Sequence, residues 1–172
     1  MMKRENKYPE TQQFVFQNVN PRGKFTADCV IRAIAGATGL DYDLVLMMAT
    51  VVQIETGYAM NTNEGINALM KKLGWEKQKQ PRKDDNTKYT GKEWCDYLSI
   101  NDKHALIGPI VANIGGSHTV CIKPTNHGDG YNCRYKVHDT WNSTRGCIGM
   151  FWVKKDSVEY VSLLNEGELW MI

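Results

Sequence analysis

The segment Thr26-Ala27-Asp28-Cys29-Val30-Ile31-Arg32-Ala33-Ile34-Ala35 constrains this chain more than any other. Val30, Ile34 and Ala37 recur on one helical face with Ile31 and Ala35 beside them, and Gly39 stands where such a helix would close. Nearly every residue between is small or apolar, so the spacing predicts a helix buried in a core. Asp28 occupies the N-cap position, where a carboxylate can accept from an unpaired N–H behind it. Cys29 then falls in the first turn, where the partial positive charge of a helix start favours a thiolate. A packed structural thiol is the plainer alternative. Arg32, inside the same helix, is expected to pair with a nearby carboxylate.

At 172 residues, with 42% hydrophobic and 23% charged residues, the chain is expected to form one domain over residues 1–172, with 1–13 loosely held. A net charge of +2 argues against nucleic-acid or membrane binding. No apolar run is long enough to span a bilayer, and the first residues lead into polar ones, not a signal-peptide core. A cytoplasmic protein is expected. Its five cysteines, an odd number, read as free thiols.

Along the chain, Phe14-Val15-Phe16 reads as a short strand. A second helix should start after Asp41 and run to Gly57, packing Leu44, Val45, Met48 and Val52. A third should span Asn63 to Leu73, with Gly74 as its stop. The stretch 75–88 reads as a polar loop within a locally basic region, with seven Lys or Arg against three Asp or Glu over 71–88. Thr90-Gly91-Lys92-Glu93 is a capping box for a short helix through Trp94, Cys95 and Leu98. After Pro109 the texture changes. Ile110–Ile114, His118–Ile122, Tyr131–His138 and Cys147–Val153 read as strands joined by short Gly- and Asn-rich turns, which predicts an antiparallel sheet. Helices first and sheet second gives an α+β fold.

A thiol nucleophile needs a base and a group that orients the base. His104 and His127 fall in polar turns. His118 opens a strand directly after Gly115-Gly116-Ser117, which would leave its ring open to a cleft. If strands 118–123 and 131–139 pair as a hairpin, Asp139 comes near His118 at the open end. Asn142 is a rival orienter in the following turn.

The order Cys29, His118, Asp139 resembles that of papain-like cysteine peptidases, with Asp139-Thr140-Trp141 standing where that family has Asn-Ser-Trp. Ser117-His118-Thr119-Val120 is similar to the start of the family's histidine strand. Asp28-Cys29-Val30-Ile31-Arg32-Ala33 is similar to the nucleophile stretch of small bacteriocin-processing-type and phage-borne members. The resemblance implies a central Cys-bearing helix packed on a C-terminal antiparallel sheet, and a thiol hydrolase acting on peptide or isopeptide bonds. It assigns Cys29 as nucleophile, His118 as base, Asp139 as orienter and Trp141 as the shield of the His–Asp bond. It implies a protein or peptide substrate, no cofactor and no metal, and host-cell cytoplasm for a phage-encoded member. The family's oxyanion glutamine is missing from the six residues before Cys29. Gln17, Asn18 and Asn20 are the amides nearby, and Asn20 is the choice among them.

Other readings use the same residues. Deamidation or acyl transfer would run on the same triad. A zinc site would draw on His118 with Cys121 and Cys133 with His138, although residues three apart on a strand face opposite sides. A papain-like scaffold without catalysis would bind a partner through the basic stretch and the aromatics Phe151, Trp152, Tyr160 and Trp170.

Overall fold

A computed structural model describes residues 3–25, 27–100, 107–126 and 133–157, the side chains of 126 and 133 excepted. Among these residues there are five α-helices: α1 (Arg4–Lys7), α2 (Cys29–Thr38), α3 (Tyr42–Thr56), α4 (Asn63–Lys72) and α5 (Gly91–Leu98). Six strands accompany them: β1 (Phe14–Phe16), β2 (Trp75–Gln78), β3 (Ile110–Ile114), β4 (His118–Asn126), β5 (Cys133–Asp139) and β6 (Ile148–Lys154). The strands form one mixed sheet in the order β1-β5-β4-β3-β6-β2, so the class is α+β.

Strand alternation divides the core into two layers. Val111, Cys121 and Trp152 face α2, α3 and α4, whereas Ala112, Val120, Ile122, Phe151 and Val153 face α5. Helix α2 lies on the first face with Val30, Ile31, Ala33, Ile34 and Ala35 all buried. It ends as its sequence predicts: Gly39 takes a left-handed φ of 73° and its N–H bonds the Ala35 carbonyl. Thr90 and Glu93 form the reciprocal capping box of α5. No single helix among the described residues is long and apolar enough to cross a membrane.

Three expectations need correction. The sheet is not wholly antiparallel, because β1 pairs in parallel with β5, with Phe16 opposite Asp139. The short turns that suggested antiparallel pairing join only later strands, while β1 reaches its partner through the whole helical half, the kind of long crossover that parallel pairing requires. Residues 75–78 are an edge strand, not loop, paired with β6 and carrying a single inward residue, Trp75. One apolar position is too little for a period-2 signal, and charges on an edge block further pairing. Finally, Leu44 is 40% exposed and does not pack; α3 buries Tyr42, Val45, Ala49 and Val52 instead.

The remaining segments add detail. Arg4 on α1 donates from Nε to the Thr140 carbonyl (3.0 Å), and its guanidinium lies 4.5 Å over the Phe25 ring. Phe151 and Trp152 are core residues. His104, His127, Tyr131, Tyr160 and Trp170 lie outside the described residues.

Candidate active site

Three elements converge at the N-terminus of α2. The helix presents Cys29, β4 opens on His118, and β5 closes on Asp139. β4 and β5 pair antiparallel, with Cys121 opposite His138, so the first residue of one strand meets the last of the other. His118 Nε2 lies 2.7 Å from Asp139 Oδ2. That bond leaves Nδ1 as the ring nitrogen for the Cys29 thiol, and the two groups shift each other's titration. The Trp141 ring sits 5.2 Å from the His118 ring, tilted over it.

Asp139 is buried and fully engaged. Besides His118 it accepts from Ser143 Oγ at Oδ2 (2.9 Å) and from the Thr140 N–H at Oδ1 (2.7 Å). With three donors holding it, the carboxylate fixes the imidazole in one orientation. Asn142 is placed elsewhere, accepting from the Thr144 N–H and hydroxyl within its own turn. The sequence carries no signal for this role of Ser143 beyond its place in Asp-Thr-Trp-Asn-Ser, four residues after Asp139.

The electrostatics couple thiol and ring. Burial pushes the Cys29 thiol up, but the His118 hydrogen bond, the Thr119 N–H and the charges of His118 and Arg32 outweigh it, leaving the thiol below its ordinary value. Burial likewise disfavours a charged His118, yet its bonds to Asp139 and Cys29 raise it from 6.5 to about 9. A lowered thiol beside a raised imidazole draws the two titrations together, so that the pair titrates as one unit.

Asp28 departs from the capping role expected of it. It makes no side-chain cap bond. Its Oδ1 accepts instead from the buried Arg32 guanidinium, while Oδ2 accepts from Asn20 Nδ2 (2.9 Å) and the Tyr42 hydroxyl (2.8 Å). A buried cation one turn away makes a stronger partner than a backbone N–H. The Asp28–Arg32 pair therefore anchors the start of the helix that carries Cys29.

This network also occupies Asn20, the oxyanion candidate of the sequence. Asn20 Nδ2 donates to Asp28 and to the Tyr42 oxygen (3.2 Å), and its Oδ1 accepts from the Arg22 N–H. Asn18 Nδ2 donates to the Lys24 carbonyl (3.3 Å). Gln17 borders a small cavity of about 10 Å³ shared with Cys29, Arg32, Thr119 and His138, with its Oε1 turned toward Gly36, two turns along α2 from the thiol. Its own N–H bonds the Asp139 carbonyl (2.8 Å). Parallel pairing of β1 with β5 delivers Gln17 there, from twelve residues before Cys29.

That cavity is the size of one water. His138 Nε2 is buried beside it with no partner among the described residues. Burial first, then the charges of Lys123 and Lys136, lower His138 from 6.5 to about 4, with Glu10 opposing. The folded state thus binds fewer protons than the unfolded chain between these values, so stability present above pH 6.5 is lost as pH falls through about 4. The loss expected from this residue is on the order of 3 kcal/mol. Denaturant titrations at pH 7 and pH 4 should show a smaller acid loss in His138→Phe than in the parent protein; equal losses would assign the acid sensitivity to other groups.

On the other side of the thiol lies a larger cleft of about 320 Å³. The helix α4 supplies one wall with Asn63 and Glu64, preceded by Asn61 and Thr62; Asn113, Gly116 and Ser117 supply the other. Asn113 Nδ2 donates to Asn63 Oδ1 (2.7 Å), and the Thr119 hydroxyl donates to Asn113 Oδ1 (3.2 Å).

No family model, curated protein or solved structure matches the chain. Among the described residues no three His, Cys, Asp or Glu side chains are grouped to hold a metal ion. Within the basic stretch, Lys72 pairs with Glu55 and Lys83 with Glu93.

Proposed function

We propose that the chain is a papain-like thiol hydrolase that cleaves a peptide or isopeptide bond through Cys29, His118 and Asp139. The observation that carries the proposal is the single imidazole bonded to a buried carboxylate at 2.7 Å and coupled in its titration to a thiol at a helix start. A structural cysteine gains nothing from such a neighbour, whereas a nucleophile requires one.

In the reading proposed, the Cys29 thiolate attacks the carbonyl carbon, forming a C–S bond while the carbonyl electrons move to oxygen. The Cys29 N–H, at the start of α2, stabilises that oxyanion. Collapse breaks the C–N bond, and the His118 imidazolium gives its proton to the departing amine. His118, now neutral, takes a proton from water as the hydroxide adds to the thioester carbon. The C–S bond then breaks, the acid leaves, and thiolate and imidazolium are restored. Asp139 holds the ring in the required tautomer throughout.

Thiol chemistry tests the proposal without knowledge of the substrate. Brief iodoacetamide treatment at neutral pH should alkylate Cys29 ahead of the other cysteines. Burial raises Cys95 and Cys121, the latter to about 12, while Cys147 is exposed but lacks a histidine partner among the described residues. His118→Ala should erase the preference. Peptide mapping that finds Cys29 no faster than Cys147 would remove the basis for a nucleophile.

A further inference from the structure

Beside Cys29 the cleft has a specific chemical character. Its floor is apolar, formed by Val30 and Ile66, both buried. Its rim is polar, and Glu64 is the only charged residue among the lining side chains. Glu64 is exposed and has no ion-pair partner among the described residues. An aliphatic floor beneath a carboxylate-bearing rim fits a side chain with a long apolar stem and a cationic end, since such a chain buries its stem and keeps its head in water. A purely aliphatic side chain would cover the rim amides without pairing them. An acidic one would face Glu64 with like charge.

The cleft also has a direction relative to the bond that breaks. It is lined by Cys29 and Thr119 but by neither His118 nor Trp141. The departing amine must lie against the His118 ring to receive its proton, so the part of the substrate in the cleft is the acyl part retained on sulfur. Resting on the hydrolase reading above, we infer that the enzyme selects a lysine or arginine on the acyl side of the scissile bond, within two residues of it, and that Glu64 is the specificity-determining residue.

The test uses dipeptidyl vinyl sulfones, which alkylate a thiolate directly, with lysine, norleucine or glutamate at each of the two acyl-side positions. Inactivation rates are read from the mass of the Cys29 peptide, with iodoacetamide as a probe lacking a side chain. Lysine should outpace norleucine by roughly fivefold at one of the positions, the scale of a partly exposed ion pair, and glutamate should be slowest. Glu64→Gln should flatten the series, and Glu64→Lys should invert the order of lysine and glutamate. Each rate is divided by the same variant's iodoacetamide rate, which removes the effect of the changed charge on the thiolate itself. If iodoacetamide labels Cys29 preferentially but the series is flat in the parent protein, or the preference survives Glu64→Lys, the selectivity inference is overturned and the hydrolase reading stands. If Cys29 is not preferentially labelled even by iodoacetamide, the hydrolase reading falls first.

Discussion

Cys29→Ala is expected to abolish hydrolysis of an activated acyl ester used as surrogate substrate, while thermal unfolding stays close to that of the parent protein. The side chain is small and partly buried, and alanine fits its place in the first turn of α2. His118→Ala should cost roughly a hundredfold to ten-thousandfold, the usual contribution of a positioned acid–base group. Asp139→Asn should be milder, because an amide oxygen can still accept from His118 Nε2 and Ser143. Asp139→Ala should fall between, since it also leaves Ser143 and the Thr140 N–H without their acceptor. The losses should not add, as the three residues act as one unit. A scaffold that only binds would keep its function in Cys29→Ala, and an undiminished rate in that variant would contradict the mechanism.

The second large effect concerns stability. The Asp28 side chain is 11% exposed and the Arg32 side chain 9%, so Asp28→Ala strands a guanidinium in the core. Breaking one side of a buried pair costs about 3–5 kcal/mol. For a domain of this size that is a fall in melting temperature of about 6–20 °C. The change also strips Asn20 and Tyr42 of their shared acceptor. Replacing both partners, with Asp28→Leu and Arg32→Met together, should recover much of the loss, because neither charge is then left alone. Calorimetry of the two variants checks this; a double variant no more stable than Asp28→Ala would mean that the acceptor role of Asp28, not its charge, dominates.

The parts of the site that the sequence disclosed are those with local signals. The buried periodicity of α2, its closing Gly39, the strand opening at His118 and the hairpin logic that brings Asp139 back to it all depend on neighbours within a few residues. What it concealed is non-local. Gln17 comes to border the cavity behind Cys29 only because β1 pairs in parallel with β5, a crossover no local pattern announces. Asn20 looks available for catalysis until Tyr42 and Arg32, from different turns of structure, claim Asp28 with it. Asp28 looks like a cap because capping is the default for its position, and only the burial of Arg32 changes its partner. β2 escaped notice because a polar edge strand with one inward tryptophan has the composition of a loop.

Thiolate absorbance titration tests the central claim most directly: the ultraviolet spectrum of the parent protein minus that of Cys29→Ala, followed from acid to alkaline pH. A Cys29-dependent thiolate signal should emerge below pH 9, the ordinary thiol value, and should move to higher pH in His118→Ala. A signal that emerges only at or above pH 9, unchanged by loss of His118, would show that thiol and imidazole are not coupled and would contradict the account.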